Sequence, residues 1–217
     1  MKAFVITIED NEKSVAVAQR CIDSGKKHGL DVEMHPAVTE RDDPYKIAEN
    51  YKIPVSAFEN NKFSRTLPCI STFLSHHSLW RKCWEEKEEL VIFEHDAIVT
   101  DAIPRNAPYR HIMNIGRPSY GRWNEPRNLG VNPLTTKPYM PGAHAYMIKP
   151  AGAEMLLVKA QMSAEPTDIF IKLENFPTIQ EYYPFCAEAR DSFSTIQKER
   201  GLQAKHNYNE KYRIIDA

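Results

Sequence analysis

The sequence predicts an α/β fold built on a mostly parallel sheet, and three observations carry that prediction. Phe4 to Ile8 is an apolar, β-branched run, followed by apolar residues at helical spacing and then by a short strand pattern at Asp31 to His35. That succession is a βαβ unit, whose two strands are parallel. Leu90-Val91-Ile92-Phe93 is a continuous apolar run of strand length, the pattern of a strand covered on both faces. A chain of 217 residues is long enough to bury a full core, so one domain over 1–217 is expected.

Each element follows in order. Glu9-Asp10-Asn11 offers a polar helix start after the first strand, Val15, Ala18, Cys21, Ile22 and Gly25 keep the helical period, and Gly29 closes it. Pro36 stops the second strand. Residues 36–68 are polar, contain Pro44, Pro54 and Pro68, and show a weak helical pattern only around Ile47 and Tyr51, so they read as a variable connection. From Cys69 to Lys87 the residues Phe73, His77, Trp80 and Trp84 form one helical stripe expected to face the core. His111 to Ile115 is a candidate strand. Residues 116–141 are rich in Gly, Pro, Asn and Arg without a period, and read as a substrate loop. Ala143 to Ile148 reads as a strand, and Pro150 opens a helix continued by Ala153, Leu156, Leu157 and Ala160. Apolar segments at Ile169 to Leu173 and Tyr182 to Ala187 precede a polar tail.

Composition removes several function classes. Twenty-eight Lys plus Arg against 29 Asp plus Glu give a net charge of -1, so no global positive field draws the chain to nucleic acid or anionic lipid. Cys21, Cys69, Cys83 and Cys186 lie far apart and fit neither a zinc ribbon nor a disulfide framework, so buried reduced thiols are expected. No stretch approaches the ~20 apolar residues of a transmembrane segment, and the N-terminal run is too short for a signal peptide. A cytoplasmic location is the resulting expectation.

Chemistry concentrates after the buried strand. Glu94-His95-Asp96 stands at its carboxyl end, the edge where open α/β sheets bind ligands. If the triplet stays extended, residues 94 and 96 point to one side, and two carboxylates there can hold a magnesium or manganese ion shared with substrate phosphates. The alternative reading is a solvated strand end.

The run Cys69-Ile70-Ser71-Thr72-Phe73-Leu74-Ser75-His76-His77-Ser78-Leu79-Trp80, followed by Val91-Ile92-Phe93-Glu94-His95-Asp96-Ala97, resembles the signature of glycosyltransferase family 25, the lipopolysaccharide-type and collagen galactosyltransferases. Further matches run in order through His111 to Gly116, Pro141 to Ala153, Pro166-Thr167-Asp168 and Asp191 to Ile196. The resemblance implies a GT-A type glycosyltransferase fold, with a Rossmann-like, mixed, mostly parallel sheet and flanking helices. It also implies a nucleotide-sugar donor, typically a UDP-hexose, Mn2+ or Mg2+, and inverting transfer to a hydroxyl acceptor.

Carried onto this chain, the resemblance places the metal at Glu94, His95 and Asp96. It places donor contacts at Ile6, Thr7, Ile8, Ser75, His76, Gly142 and His144, and the general base at Asp168. Asp168 also reads as a helix N-cap, Ser75 as an orienter of His76 or a helix cap, and His77, Tyr146, Trp80 and Trp84 as packing residues. Trp123 is the stacking candidate for an acceptor. Two departures stand out: His95 replaces the family's middle carboxylate, and Glu9-Asp10-Asn11-Glu12-Lys13 replaces its Asp-Arg pair after the first strand. They motivate a second reading, a noncatalytic nucleotide-sugar-binding relative. The acceptor is a saccharide, a protein, or a hydroxymethylated base of viral DNA, the last drawing on Arg105, Arg110, Arg117, Arg122 and Arg127 as one basic face.

Overall fold

A βαβ unit opens the chain in the computed structural model, which describes residues 1–60, 65–119 and 121–189. Strand β1 (Lys2–Thr7), helix α1 (Glu12–Lys27) and strand β2 (Val32–Pro36) follow the predicted order, and β1 pairs with β2 in parallel from Ala3↔Val32 to Thr7↔Pro36. The Asn11 side chain caps α1 by accepting the Ser14 N–H, and Gly29 at φ 74° ends it in the left-handed conformation that costs glycine least.

Residues 36–68, the expected variable connection, carry helical structure beyond the weak pattern around Ile47 and Tyr51. They hold a 3-10 turn (Glu40–Asp42), α2 (Pro44–Asn50), α3 (Ser56–Glu59) and the start of α4 (Thr66–Glu86). The starts are local: Thr39 and Asp42 form a reciprocal capping box, and Asp43 caps α2 ahead of Pro44 at its first turn. Only short apolar periods accompany them, which is why periodicity showed α2 weakly, around Ile47, and missed the 3-10 turn and α3.

Next come β3 (Leu90–Glu94), β4 (Ala97–Val99), β5 (Ile112–Asn114), β6 (Gly130–Pro133), β7 (Ala145–Ile148), α5 (Pro150–Met162), α6 (Thr167–Phe170), β8 (Gln180–Tyr183) and β9 (Ala187–Ala189). Among the described residues, seven strands form one sheet in the order β2-β1-β3-β7-β5-β8-β6, and β4 pairs with β9 separately. β7 is antiparallel to both neighbours and β6 to β8, while the other ladders are parallel, so five strands run one way and two the other. This is the mixed, mostly parallel α/β sheet expected.

Strand alternation sorts the apolar residues into two layers. Phe4 and Ile6, with Leu90 and Ile92, face α4 and α5, where Phe73, Trp80, Ala153 and Leu156 fill the larger core. Ala3, Val5, Val91 and Phe93 face α1, packing with Ala18, Cys21 and Met147. The four cysteines are buried and reduced, as expected. Trp84 departs from its expected stripe: it lies in the last turn of α4, 38% exposed, with the Lys87 ammonium 4.4 Å from its ring centre. The 116–141 segment, expected as a loop, includes regular structure. It contributes edge strand β6, and the buried Glu181 carboxylate accepts bonds from the backbone N–H and hydroxyl groups of Thr135 and Thr136 at 2.6–3.1 Å. Among the described residues no helix is long and apolar enough to cross a membrane.

Gly152 lets α5 approach β5, because a methyl group there would lie 2.4 Å from the His111 carbonyl oxygen, which already accepts the Lys149 N–H. Gly152→Ala is therefore expected to destabilise the chain by about 1–3 kcal/mol in urea unfolding, against the small gain usual for an open helical position. An unchanged midpoint would show that α5 shifts freely from β5.

Candidate functional site

A cavity of about 420 Å³ opens at the carboxyl ends of β1 and β3. Ile6 and Ile8 form an apolar wall, because even-numbered residues of β1 face this side of the sheet. Asp10 and Asn11 supply the lip from the β1–α1 loop, and residues 37–41 and Arg65 supply the opposite side. Helix α4 contributes Pro68, Ser71, Thr72, Ser75 and His76, a stripe at the three- and four-residue helical spacing, and Glu94 with His95 closes the inner end. Both arginines at the rim are held by acids: Arg41 pairs with Asp10, and Arg65 lies 3.7 Å from Glu40.

Glu94 is tied into the core. Its backbone N–H bonds the His144 carbonyl at 3.0 Å, and its Oε1 lies 3.2 Å from Nε2 of the fully buried His76, whose Nδ1 is 2.9 Å from the Tyr146 hydroxyl. A quarter of the Glu94 side chain remains exposed. Burial, and then the charge of Asp168, hold the Glu94 carboxyl above the usual carboxylate range, so the two acids lie within electrostatic reach of each other.

The expected residues separate into groups. Ile6, Ile8, Ser75, His76, Glu94 and His95 line the cavity. Thr7 faces the α1 layer, where its hydroxyl donates to the Val5 carbonyl, as the period of two requires. Gly142, at φ 79°, and His144 sit at the mouth of β7; His144 fits only because Gly116 has no side chain, as a Cβ there would come within 2.5 Å of its Nε2. Ser75 neither orients His76 nor caps α4: it donates to the Ser71 carbonyl and accepts the Val38 N–H, fastening the 37–41 wall to the helix. Asp168 is the second residue of α6, inside the helix, and Pro166 occupies the cap position. The expected motif at Asp191 to Ile196 lies outside the described residues.

The triplet does not stay extended. His95 and Asp96 form the turn between β3 and β4, which breaks the alternation that would have aligned residues 94 and 96. The Asp96 carboxylate instead lies toward α1, where it adds to the burial that pushes the Cys21 thiol up to about 12. His95 Nδ1 is 2.7 Å from the Ser14 hydroxyl, which also accepts the Ile8 N–H, so His95 fastens the β1–α1 loop. Among the described residues no three His, Cys, Asp or Glu side chains are arranged to hold an ion. The three-ligand expectation therefore does not fit. A cation shared with a diphosphate, needing only one or two protein carboxylates, fits Glu94 at the cavity wall.

Arg41, Arg65, Ser71 and Thr72 were not singled out from the sequence. Ser71 is 4% exposed and, among the described residues, its hydroxyl has no hydrogen-bond partner. The capping box at Thr39 was the signal available for the 37–41 wall; for the arginines the sequence offered none. Elsewhere, Trp123 packs edge-on against Phe185, with Arg117 5.9 Å from its ring centre, while Arg105 reaches the Gly29 carbonyl at the end of α1.

Buried histidines set an acid limit. Burial holds His35 below its ordinary value, His76 down to about 3 and His77 down to about 4. Groups depressed in the folded state contribute stability above their unfolded pKa near 6.5 and lose it as pH falls toward 3–4. Glu94, raised rather than lowered, acts in the opposite sense, so the test uses His77, which packs on Tyr51 at 5.0 Å. His77→Leu should lose about 2 kcal/mol less than the parent in urea unfolding between pH 7.5 and pH 5. Parallel losses would place the acid sensitivity elsewhere.

Comparison with known proteins bears on this site. No curated protein matches the chain in sequence. Among solved structures, apo mouse xyloside xylosyltransferase 1 aligns with a TM-score of 0.42 at 11% identity, over 82% of this chain and 83% of that one. A Drosophila beta-1,4-galactosyltransferase 7 mutant, in complex with manganese, UDP-Gal and xylobiose, aligns with a TM-score of 0.43 at 6% identity, over 97% and 76%. Likenesses this slight carry no argument. The sequence profile of glycosyltransferase family 25 (LPS biosynthesis protein) matches residues 1–110, half of the chain, and that span contains β1, α4 and β3, the elements that build the cavity and present Glu94. The chain therefore belongs to glycosyltransferase family 25 and is a glycosyltransferase.

Proposed function

We propose that the chain transfers a hexosyl group from a UDP-type nucleotide sugar to a hydroxyl group of a saccharide acceptor, in the cytoplasm, with inversion at the anomeric carbon. The observation that supports this reading is the cavity itself. It combines an apolar wall, two arginines at the rim, a buried hydroxyl without a partner among the described residues, and, at the inner end, Glu94, whose carboxyl is raised by burial and by the charge of Asp168. Ile6 and Ile8 suit a flat nucleobase. Arg41 and Arg65 suit a diphosphate, for which they exchange exposed carboxylate partners whose ion pairs contribute little.

Transfer needs the acceptor oxygen to bond the anomeric carbon as the bond from that carbon to the diphosphate oxygen breaks, its electron pair leaving with the diphosphate. Asp168 takes the hydroxyl proton in this reading, with the Glu94 carboxylate as its electrostatic neighbour. A divalent cation, when bound at Glu94 and the diphosphate, supplies neutralisation of the leaving group's charge. His95, the substitution that motivated a noncatalytic reading, holds the β1–α1 loop through Ser14 and leaves Glu94 and Asp168 in place. The catalytic reading is therefore the one favoured.

The test is release of nucleoside diphosphate from a panel of sugar donors in the presence of manganese and saccharide acceptors. One UDP-hexose should be turned over. Asp168→Asn should lower kcat by about 10²-fold or more with little change in donor KM, and Arg65→Ala should raise donor KM by roughly tenfold. Full turnover by Asp168→Asn would remove its role as base, and silence of the folded parent across the panel would remove the transferase reaction.

A further inference from the structure

We infer that Trp80 and Tyr146 act through His76 as positioning residues for Glu94, fixing one His76 tautomer that holds the carboxylate at the cavity wall. The inference rests on the reading of Glu94 as a donor-site group.

The argument is an accounting of protons. The Trp80 indole N–H can only donate, and it points at the Tyr146 hydroxyl oxygen, 2.8 Å away. That oxygen therefore accepts from Trp80, and the hydroxyl proton needs an acceptor of its own. Tyr146 is fully buried, and the other hydroxyl contact among the described residues is His76 Nδ1 at 2.9 Å. Were Nδ1 protonated, the tyrosine proton would have no acceptor, at a cost of about 1–3 kcal/mol. Nδ1 therefore carries no proton, Nε2 does, and the Nε2–H donates to Glu94 Oε1 at 3.2 Å. Each bond sets the direction of the next, from indole to carboxylate.

Packing fixes the donors in place. Trp80 lies edge-on to Phe73 at 5.4 Å and stacks on Phe170 at 5.7 Å, and His76 stacks on Tyr146 at 5.8 Å. The line joins α4 to β7 and ends on Glu94 at the inner end of the cavity, where His76 also forms part of the wall. Apolar residues of the same size would fill this space without a line of buried polar groups. What the polar line adds is a fixed orientation for Glu94.

The experiment uses the whole chain labelled with ¹⁵N-histidine. Long-range ¹H–¹⁵N correlation spectra should show His76 as the Nε2–H tautomer, and Tyr146→Phe, which removes the donor to Nδ1, should weaken the affinity for manganese in the presence of UDP by several-fold. Two further variants separate the hydrogen bond from packing. His76→Gln keeps a donor near the Nε2 position and should retain most of the parent's affinity for manganese in the presence of UDP, read by electron paramagnetic resonance. His76→Leu, shown folded by its circular dichroism melt, should lose about tenfold or more in that affinity and in kcat. An Nδ1–H tautomer in the parent, or Leu and Gln variants both equal to the parent in affinity and kcat, would overturn the inference. A parent that turns over no donor, yet shows the expected tautomer and the Leu-specific loss of affinity, would overturn the transferase reaction and leave the positioning chain standing.

Discussion

The site depends on the two-sided confinement of β3. Leu90, Val91, Ile92 and Phe93 are all fully buried, alternating between the two cores. A slip of one residue would exchange the two sets between layers of different shape, so the register is strongly specified. Pairing with β1 on one edge and β7 on the other then sets Glu94 beside Ile6, where the strand meets the cavity. The carboxylate stands where it does because the four residues before it cannot move.

That confinement ends abruptly, and the ending divides the acidic triplet. At His95 and Asp96 the chain turns back into β4, which pairs with β9 beneath α1. Asp96 is carried to the α1 side and His95 to Ser14, so one residue of the three faces the inner end of the cavity as a carboxylate. Its neighbour in charge is Asp168, supplied by α6 from more than seventy positions further along the chain. The carboxylate pair thus belongs to the fold and not to a motif.

Charge around the cavity is balanced by loosely held pairs. Asp10 with Arg41 and Glu40 with Arg65 are exposed at the rim, where ion pairs contribute roughly 0–1 kcal/mol and are readily exchanged. Inside, the groups are fixed: His76, Tyr146 and Trp80 are fully buried and joined by short bonds. An adaptable rim and a rigid inner end suit a ligand whose charged part enters first and whose reacting part must be placed closely.

The sequence by itself determined the βαβ opening, the buried β3 with an acidic residue at its end, the long helix α4 and the family. Each is written in residues adjacent along the chain or spaced at the period of one element. Trp84 shows the limit of that reading: its period matched the core stripe, but the helix outruns the core at its last turn. The helices of residues 40–59 were legible only as a weak period around Ile47 and in the caps at Thr39 and Asp43, because their apolar faces are too short for a clear period. Tertiary structure alone decided that Arg41 and Arg65 line the cavity, that Asp96 leaves it, and that Asp168 approaches Glu94. The physical reason is the same in each case: a side chain's direction at a turn, and the meeting of distant elements, are set by packing between layers, which no local period records.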